Sequence, residues 1–174
     1  NVYAIDSQSG SLIWVTEDLG GAIVGAPAIS EEDGVFVGTF AEELVALDLD
    51  SGNELWRFAA LDWIWGGAAL NEENLYFGDL SGTFFALDPV TGLQRWNIQP
   101  GGAIVDTPLV TEDAVYMTAE EGLLVSVTPD GVITQINGDL VSVEIKHISP
   151  NFVGFDIDAE LVFFNLKSTL AQLG

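Results

Sequence analysis

Trp14, Trp56 and Trp96 stand 42 and 40 residues apart, and each ends the same short pattern. It reads Ala4-Ile5-Asp6-Ser7-Gln8-Ser9-Gly10 before Trp14, and Ala46-Leu47-Asp48-Leu49-Asp50-Ser51-Gly52 before Trp56. The third copy is Ala86-Leu87-Asp88-Pro89-Val90-Thr91-Gly92 before Trp96, and the Gly-to-Trp interval is four residues each time. A fixed period of this length restricts the chain to repeat architectures. In these each copy is one supersecondary unit that buries its apolar face against its neighbours.

Two more patterns keep the period. Val35-Phe36-Val37-Gly38 aligns with Leu75-Tyr76-Phe77-Gly78 and with Val115-Tyr116-Met117-Thr118. Upstream of these, Ile23-Val24-Gly25-Ala26-Pro27 aligns with Ile104-Val105-Asp106-Thr107-Pro108, with the Gly-rich Trp65-Gly66-Gly67-Ala68-Ala69 between them. Each unit therefore holds four short apolar runs, in the clearest copy near 22–29, 35–40, 44–48 and 54–58. Glu31-Glu32-Asp33-Gly34, Ala41-Glu42-Glu43 and Asp50-Ser51-Gly52-Asn53 separate them as turns. The runs are too short for helices and rich in Val, Ile, Phe and Tyr, so they read as strands. Four antiparallel strands in a period of about 40 residues predict the blade of an all-β propeller.

The pattern Ala-x-Asp-x-x-Ser/Thr-Gly-x-x-x-Trp resembles the tryptophan-docking motif of the PQQ-like (quinoprotein-type) propeller repeat family. The resemblance covers about residues 1–136 and implies that each Trp packs against the neighbouring blade. It makes Ala4, Asp6, Gly10 and Trp14, Ala46, Asp48, Gly52 and Trp56, and Ala86, Asp88, Gly92 and Trp96 a structural docking set. The motif is physically sensible by itself: a small Ala leaves room for an aromatic, Gly permits a positive φ, and Trp brings a large apolar area with one N–H to satisfy. Further on the pattern decays. Ser126-Val127-Thr128-Pro129-Asp130-Gly131 is one residue short, and Gln135 stands where Trp is expected. Phe155 to Phe164 is a weaker echo of Tyr76 to Phe85.

The expected organisation is a single partial propeller domain over 1–174. Residues 1–16 give a partial blade, 21–58, 62–98 and 102–136 give full blades, and 140–166 a degenerate one. About four blades is roughly half of the seven or eight usual in the family. The missing half is expected upstream or from self-association, with a self-closed four-bladed ring as a third arrangement.

Composition narrows the function classes. There are 27 acidic residues against four basic ones, Arg57, Arg95, Lys146 and Lys167, for a formal net charge of −23. Such a charge repels phosphate backbones and anionic membranes, so nucleic-acid binding is not expected. The acidity serves solubility, or it offers a docking face to a basic partner. The absence of cysteine rules out disulfides, thiolate metal sites and cysteine nucleophiles. No apolar run is long enough for a membrane-spanning helix, and no signal peptide is visible.

No catalytic, cofactor or metal residue is assigned. The recurrence of Asp6, Asp48 and Asp88 argues for turn-making by hydrogen bonds to their own backbone amides. Asp48 to Glu54 superficially resembles a calcium loop but lacks its distal glutamate and coincides with a hairpin turn. His147 is the only histidine, too little for a triad or a His cluster. Trp63 and Trp65 are extra to the docking series. In a propeller their segment shares a face with the loop between second and third strands. That face gathers Phe40, Glu42, Glu43, Trp63, Trp65, Leu80, Glu120 and Glu121 as the candidate partner-binding surface, suited to a protein or peptide with basic and apolar features. Alternation also permits one of the two tryptophans to point inward.

The quinoprotein dehydrogenases of the family bind PQQ and calcium at the propeller centre, with a vicinal cysteine pair and a catalytic Asp. Here there is no cysteine, and four basic residues leave little to pair with the three carboxylates of PQQ. The same repeat builds non-catalytic envelope propellers such as the barrel-assembly-machinery lipoprotein. The expectation is therefore a cofactor-free protein- or peptide-binding scaffold, periplasmic, envelope-associated or secreted. The alternatives are a fragment of a PQQ- and calcium-dependent alcohol or sugar dehydrogenase, and a ligand-sensing propeller domain of a larger receptor.

Overall fold

The structure, a computed structural model, describes residues 1–136. The degenerate blade expected at 140–166 and His147 lie outside the described residues. A two-stranded antiparallel sheet comes first, β1 (Tyr3–Ile5) with β2 (Leu12–Val15). Three four-stranded antiparallel sheets follow. The first holds β3 (Ala28–Ser30), β4 (Gly34–Gly38), β5 (Glu43–Leu47) and β6 (Glu54–Ala59). The second holds β7 (Ala69–Leu70), β8 (Leu75–Gly78), β9 (Phe84–Leu87) and β10 (Gln94–Ile98). The third holds β11 (Leu109–Val110), β12 (Val115–Ala119), β13 (Leu123–Val127) and β14 (Ile133–Ile136). Each is a simple meander in chain order, the blade of a β-propeller, and the first strands β3, β7 and β11 lie side by side.

Burial explains the sequence pattern. The middle strands β4, β5, β8 and β9 are covered on both faces, so they read as unbroken apolar runs without alternation. Alternate residues serve opposite neighbours. Val35, Val37, Val45 and Leu47 pack with Leu19 and Val2 toward the first two strands. Phe36, Leu44 and Ala46 meet Leu75, Phe77, Phe85 and Leu87 of the next sheet. Tyr76, Phe84 and Ala86 repeat that arrangement with Val115, Met117, Val125 and Val127. The outer strands are covered on one side only, and there the period-two signal returns: Trp56 and Phe58 are half-buried while Leu55, Arg57 and Ala59 are exposed.

The tryptophans are the wedges between sheets. Each indole donates its Nε1–H to a carbonyl in the next sheet's turn at 2.9 Å, Trp14 to Leu49, Trp56 to Pro89 and Trp96 to Pro129. Each also lies on a glycine of that turn. A Cβ placed on Gly52, Gly92 or Gly131 would come within 2.5, 2.6 or 3.0 Å of the indole of Trp14, Trp56 or Trp96. The glycine of one copy is thus the landing surface for the tryptophan of the copy before it.

A β-bulge sets the angle of each tryptophan. Trp14 faces Ala4, Trp56 faces Ala46 and Trp96 faces Ala86, and a shift in register follows each pair, leaving one extra residue on the outer strand. β13 and β14 pair without a bulge, and Thr134 faces Ser126, the counterpart of Ala46 and Ala86. The shortened copy therefore puts Thr134, not Gln135, opposite the small-residue position. The copy lacks two residues, one in the turn before Gly131 and the bulge residue after it, so counting four from the glycine overshoots to Gln135.

The motif aspartates make the turns. Asp48 accepts the amide of Ser51 at 2.8 Å and its hydroxyl at 2.5 Å. Asp6 accepts the amides of Gln8 and Ser9 and the Ser9 hydroxyl. Asp88 accepts the amides of Val90 and Thr91, the Thr91 hydroxyl and an Arg95 N–H. These bonds favour the ionised form. The Ser9 hydroxyl lowers the Asp6 pKa, the Ser51 hydroxyl that of Asp48, and the Thr91 amide that of Asp88. A carboxylate with a depressed folded pKa contributes stability above its unfolded pKa and loses it as pH falls through the folded value. Asp48→Asn is therefore expected to soften the acid limb. Its melting temperature should fall less than the parent's between about pH 4 and about pH 2, the window below the ordinary aspartate value. Parallel acid limbs in scanning calorimetry would contradict the assignment.

Candidate partner-binding face

Two sets of loops meet at one end of the sheets, the connections into each first strand and the turns between second and third strands. Backbone hydrogen bonds join them in a repeated way. Phe40, Leu80 and Glu120 donate their amides to the carbonyls of Ala22, Trp63 and Ala103 at 2.9, 3.0 and 3.0 Å. Ile64 and Ile104 donate to Thr39 and Asp79. These bonds bring Phe40, Trp63, Leu80 and Glu120 to one end of the sheets, and the register identifies Trp63 with Ala22 and Ala103, and Trp65 with Val24 and Val105.

Neither tryptophan enters the core. Trp63 is 44% and Trp65 43% exposed, while Ile64 between them is fully buried. Ile64 fills the space where Gly38 has no side chain: a Cβ there would lie 2.3 Å from its Cγ2. Ile104 sits over Gly78 in the same way. With the isoleucine as anchor, period-two alternation turns both flanking residues outward. Phe40, from the preceding sheet, stacks on Trp63 at 4.8 Å and lies tilted against Trp65 at 5.3 Å. The three rings bridge the first and second full sheets, and both tryptophans remain open to solvent. Leu80 holds the Phe40 position one sheet on and is half-buried.

The acids of this face are not equivalent. Glu43 is half-buried and ion-paired with Arg57, which also holds Glu54 and donates to the carbonyl of Leu19. Glu54 first and Glu43 second raise the guanidinium pKa further above its ordinary value, so Glu43 already has a basic partner within the fold. Glu42 is exposed, with a positive φ of 64°. Glu120 is exposed and opens a 3-10 turn, Glu120–Gly122, that also contains Glu121. Asp106 is exposed and accepts the Thr118 hydroxyl.

Sequence reasoning missed two features of this face. Asp79 is fully buried and accepts the amides of Leu61 and Thr83, both at 3.0 Å, and the Ser81 hydroxyl at 2.6 Å. It ties the chain entering the tryptophan loop to the second sheet, and only its position opposite Thr39 in the repeat could have marked it. The other is the exposure of Val24 and Val105, at 50% and 38%. The sequence alignment sets Trp65 against Ile23 and Ile104; the hydrogen bonds put Ile64 there and move Trp65 one place on, to Val24 and Val105.

At the inner ends the backbones nearly touch. A Cβ on Gly25 would lie 2.4 Å from the Gly66 carbonyl oxygen, and one on Gly66 would lie 2.6 Å from that of Asp106. Both arginines of the described residues are ion-paired, Arg57 on β6 and Arg95 on β10 with Asp88. Among the described residues no group of three or more His, Cys, Asp or Glu is placed to hold a metal ion.

Four-stranded meanders wedged by motif tryptophans define a β-propeller of PQQ-like repeats. The family model described as outer membrane protein assembly factor BamB matches residues 1–64 and 41–139, and the chain belongs to that family. BamB from Moraxella catarrhalis superposes with a TM-score of 0.66 at 28% identity, over 75% of this chain and 41% of that one. Quinohemoprotein alcohol dehydrogenase ADHIIG from Pseudomonas putida HK5 shares the fold, with a TM-score of 0.60 at 19% identity over 70% of this chain and 21% of that one. Quinoprotein alcohol dehydrogenase PedH of Pseudomonas putida is 34% identical over 70 residues, 40% of this chain and 12% of its own length. The chain spans less than half the length of each of these relatives.

Proposed function

We propose that this chain is a non-catalytic PQQ-like propeller segment that holds a protein or peptide partner, at the cell envelope or outside the cell, on the face built by Phe40, Trp63 and Trp65. The observation that carries the reading is the pair of exposed tryptophans outside the docking series. Exposed aromatics on a rigid scaffold bury large apolar area on binding at small entropic cost, which is the chemistry of interaction hot spots. Membership of the assembly-factor family agrees with it.

The likeness to PedH favours a second reading, part of a PQQ-dependent dehydrogenase. The donor set supports the scaffold. PQQ brings three carboxylates, and the described residues offer no unpaired arginine for them and no metal-binding cluster at the sheet ends. The described residues do not fit that cofactor. Incubation of the chain with PQQ and calcium, followed by dye-linked oxidation of primary alcohols, is expected to give neither retained quinone nor turnover. Calcium-dependent turnover would overturn the scaffold in favour of the enzyme.

A further inference from the structure

We infer that the partner segment is an extended peptide with alternating aliphatic and basic side chains, laid along the inner rim of this face across three successive sheets. The inference rests on the scaffold reading above and names the chemistry of its partner. Val24, Trp65 and Val105 occupy one repeat position, directly before the residues whose backbones nearly touch, and all three are exposed. Nothing in blade packing requires an apolar side chain there, because the neighbouring Ile64 and Ile104 already fill the junctions. The rim therefore presents one apolar contact per sheet. An extended chain meets such a row with every second side chain, as strands do.

Charge selects the other side chains. Glu42, Asp106 and Glu120 are exposed on this face, and Asp62 is half-buried beside Trp63. Among the described residues both arginines are already ion-paired, so no free cation balances these carboxylates. An acidic peptide would meet repulsion, whereas lysine or arginine between the aliphatic positions reaches the acids, and an arginine also stacks on an open indole. A purely basic, polar peptide gains the charge but not the apolar row.

The test uses the full chain and three nine-residue peptides, alternating lysine with leucine, lysine with serine, and glutamate with leucine. Tryptophan emission and calorimetry report binding. The lysine–leucine peptide should bind saturably, shift emission to the blue, and weaken several-fold at high salt. Each of the other two should bind at least about tenfold more weakly, as expected when one of two complementary terms is lost. Trp65→Ser should weaken the lysine–leucine peptide by roughly tenfold or more, the effect of deleting one aromatic anchor. Should Trp65→Ser unfold, the paired variant Val24→Ser with Val105→Ser probes the same row in other sheets. Equal affinity for the lysine–serine peptide, or unchanged affinity in both sets of variants, overturns the inference. Glutamate–leucine binding that is lost in Trp65→Ser overturns the basic partner while leaving the scaffold standing. Turnover with PQQ removes the scaffold itself.

Discussion

Trp56→Ala is expected to destabilise the chain by about 3–5 kcal/mol, the range for truncating a packed aromatic, in urea unfolding followed by circular dichroism. Three losses add up. The indole lies against Phe36 at 5.7 Å between ring centroids and covers Gly92 of the next sheet. Its removal opens a gap at the junction where Phe36, Leu44 and Ala46 meet Leu75 and Phe77, and a stiff two-sheet interface closes such gaps only partly. The Pro89 carbonyl, in a buried residue, also loses its donor at 2.9 Å. An unsatisfied buried acceptor alone costs about 1–3 kcal/mol. A change near zero would mean that the half-buried ring is a surface ornament.

Gly92→Ala is the second large effect, at about 3 kcal/mol, and it is informative because Gly10→Ala should cost only about 1 kcal/mol. The two glycines have nearly the same φ, +69° and +72°, so both substitutions force an L side chain into the left-handed region. The surroundings differ. A Cβ on Gly10 meets nothing within 4 Å, whereas one on Gly92 would sit 2.6 Å from Cδ2 and 2.7 Å from Cε3 of Trp56. The backbone cost is common to both, and the excess at Gly92 measures displacement of the indole. Equal costs would show that the motif glycine serves only its own turn.

The fold was legible because the repeat imposed several consistent signals at once. The Trp spacing, the glycine at a fixed interval and the apolar middle strands all point to stacked four-stranded sheets, and residues 1–136 adopt them. What stayed hidden belongs to relations between copies. The motif reads as a turn within one unit, but its glycine answers to the previous unit's tryptophan, a pairing no local rule contains. The bulge is likewise invisible to counting. Leu55 and Arg95 are extra residues whose loss in the last copy brings Thr134 opposite Ser126. At the face, aromatic residues could be read as extra but their direction could not. Ile64 decides it by entering the space above Gly38, which needs the neighbouring sheet to be seen. Glu43 was grouped with Glu42 by adjacency, yet strand alternation turns it toward Arg57. A buried carboxylate such as Asp79 carries no sequence mark beyond its repeat position, which is that of Thr39; its bonds to Leu61, Ser81 and Thr83 appear only in the folded chain.

A double-mutant cycle on Trp56 and Gly92 reaches the docking interaction with the fewest assumptions. If the indole of one sheet rests on the turn of the next, adding Gly92→Ala to Trp56→Ala should cost no more than Gly10→Ala does in the parent, because the ring it strikes is gone. Fully additive costs in the two substitutions would show that no such seat exists, and the sheets would have to be held together by something else.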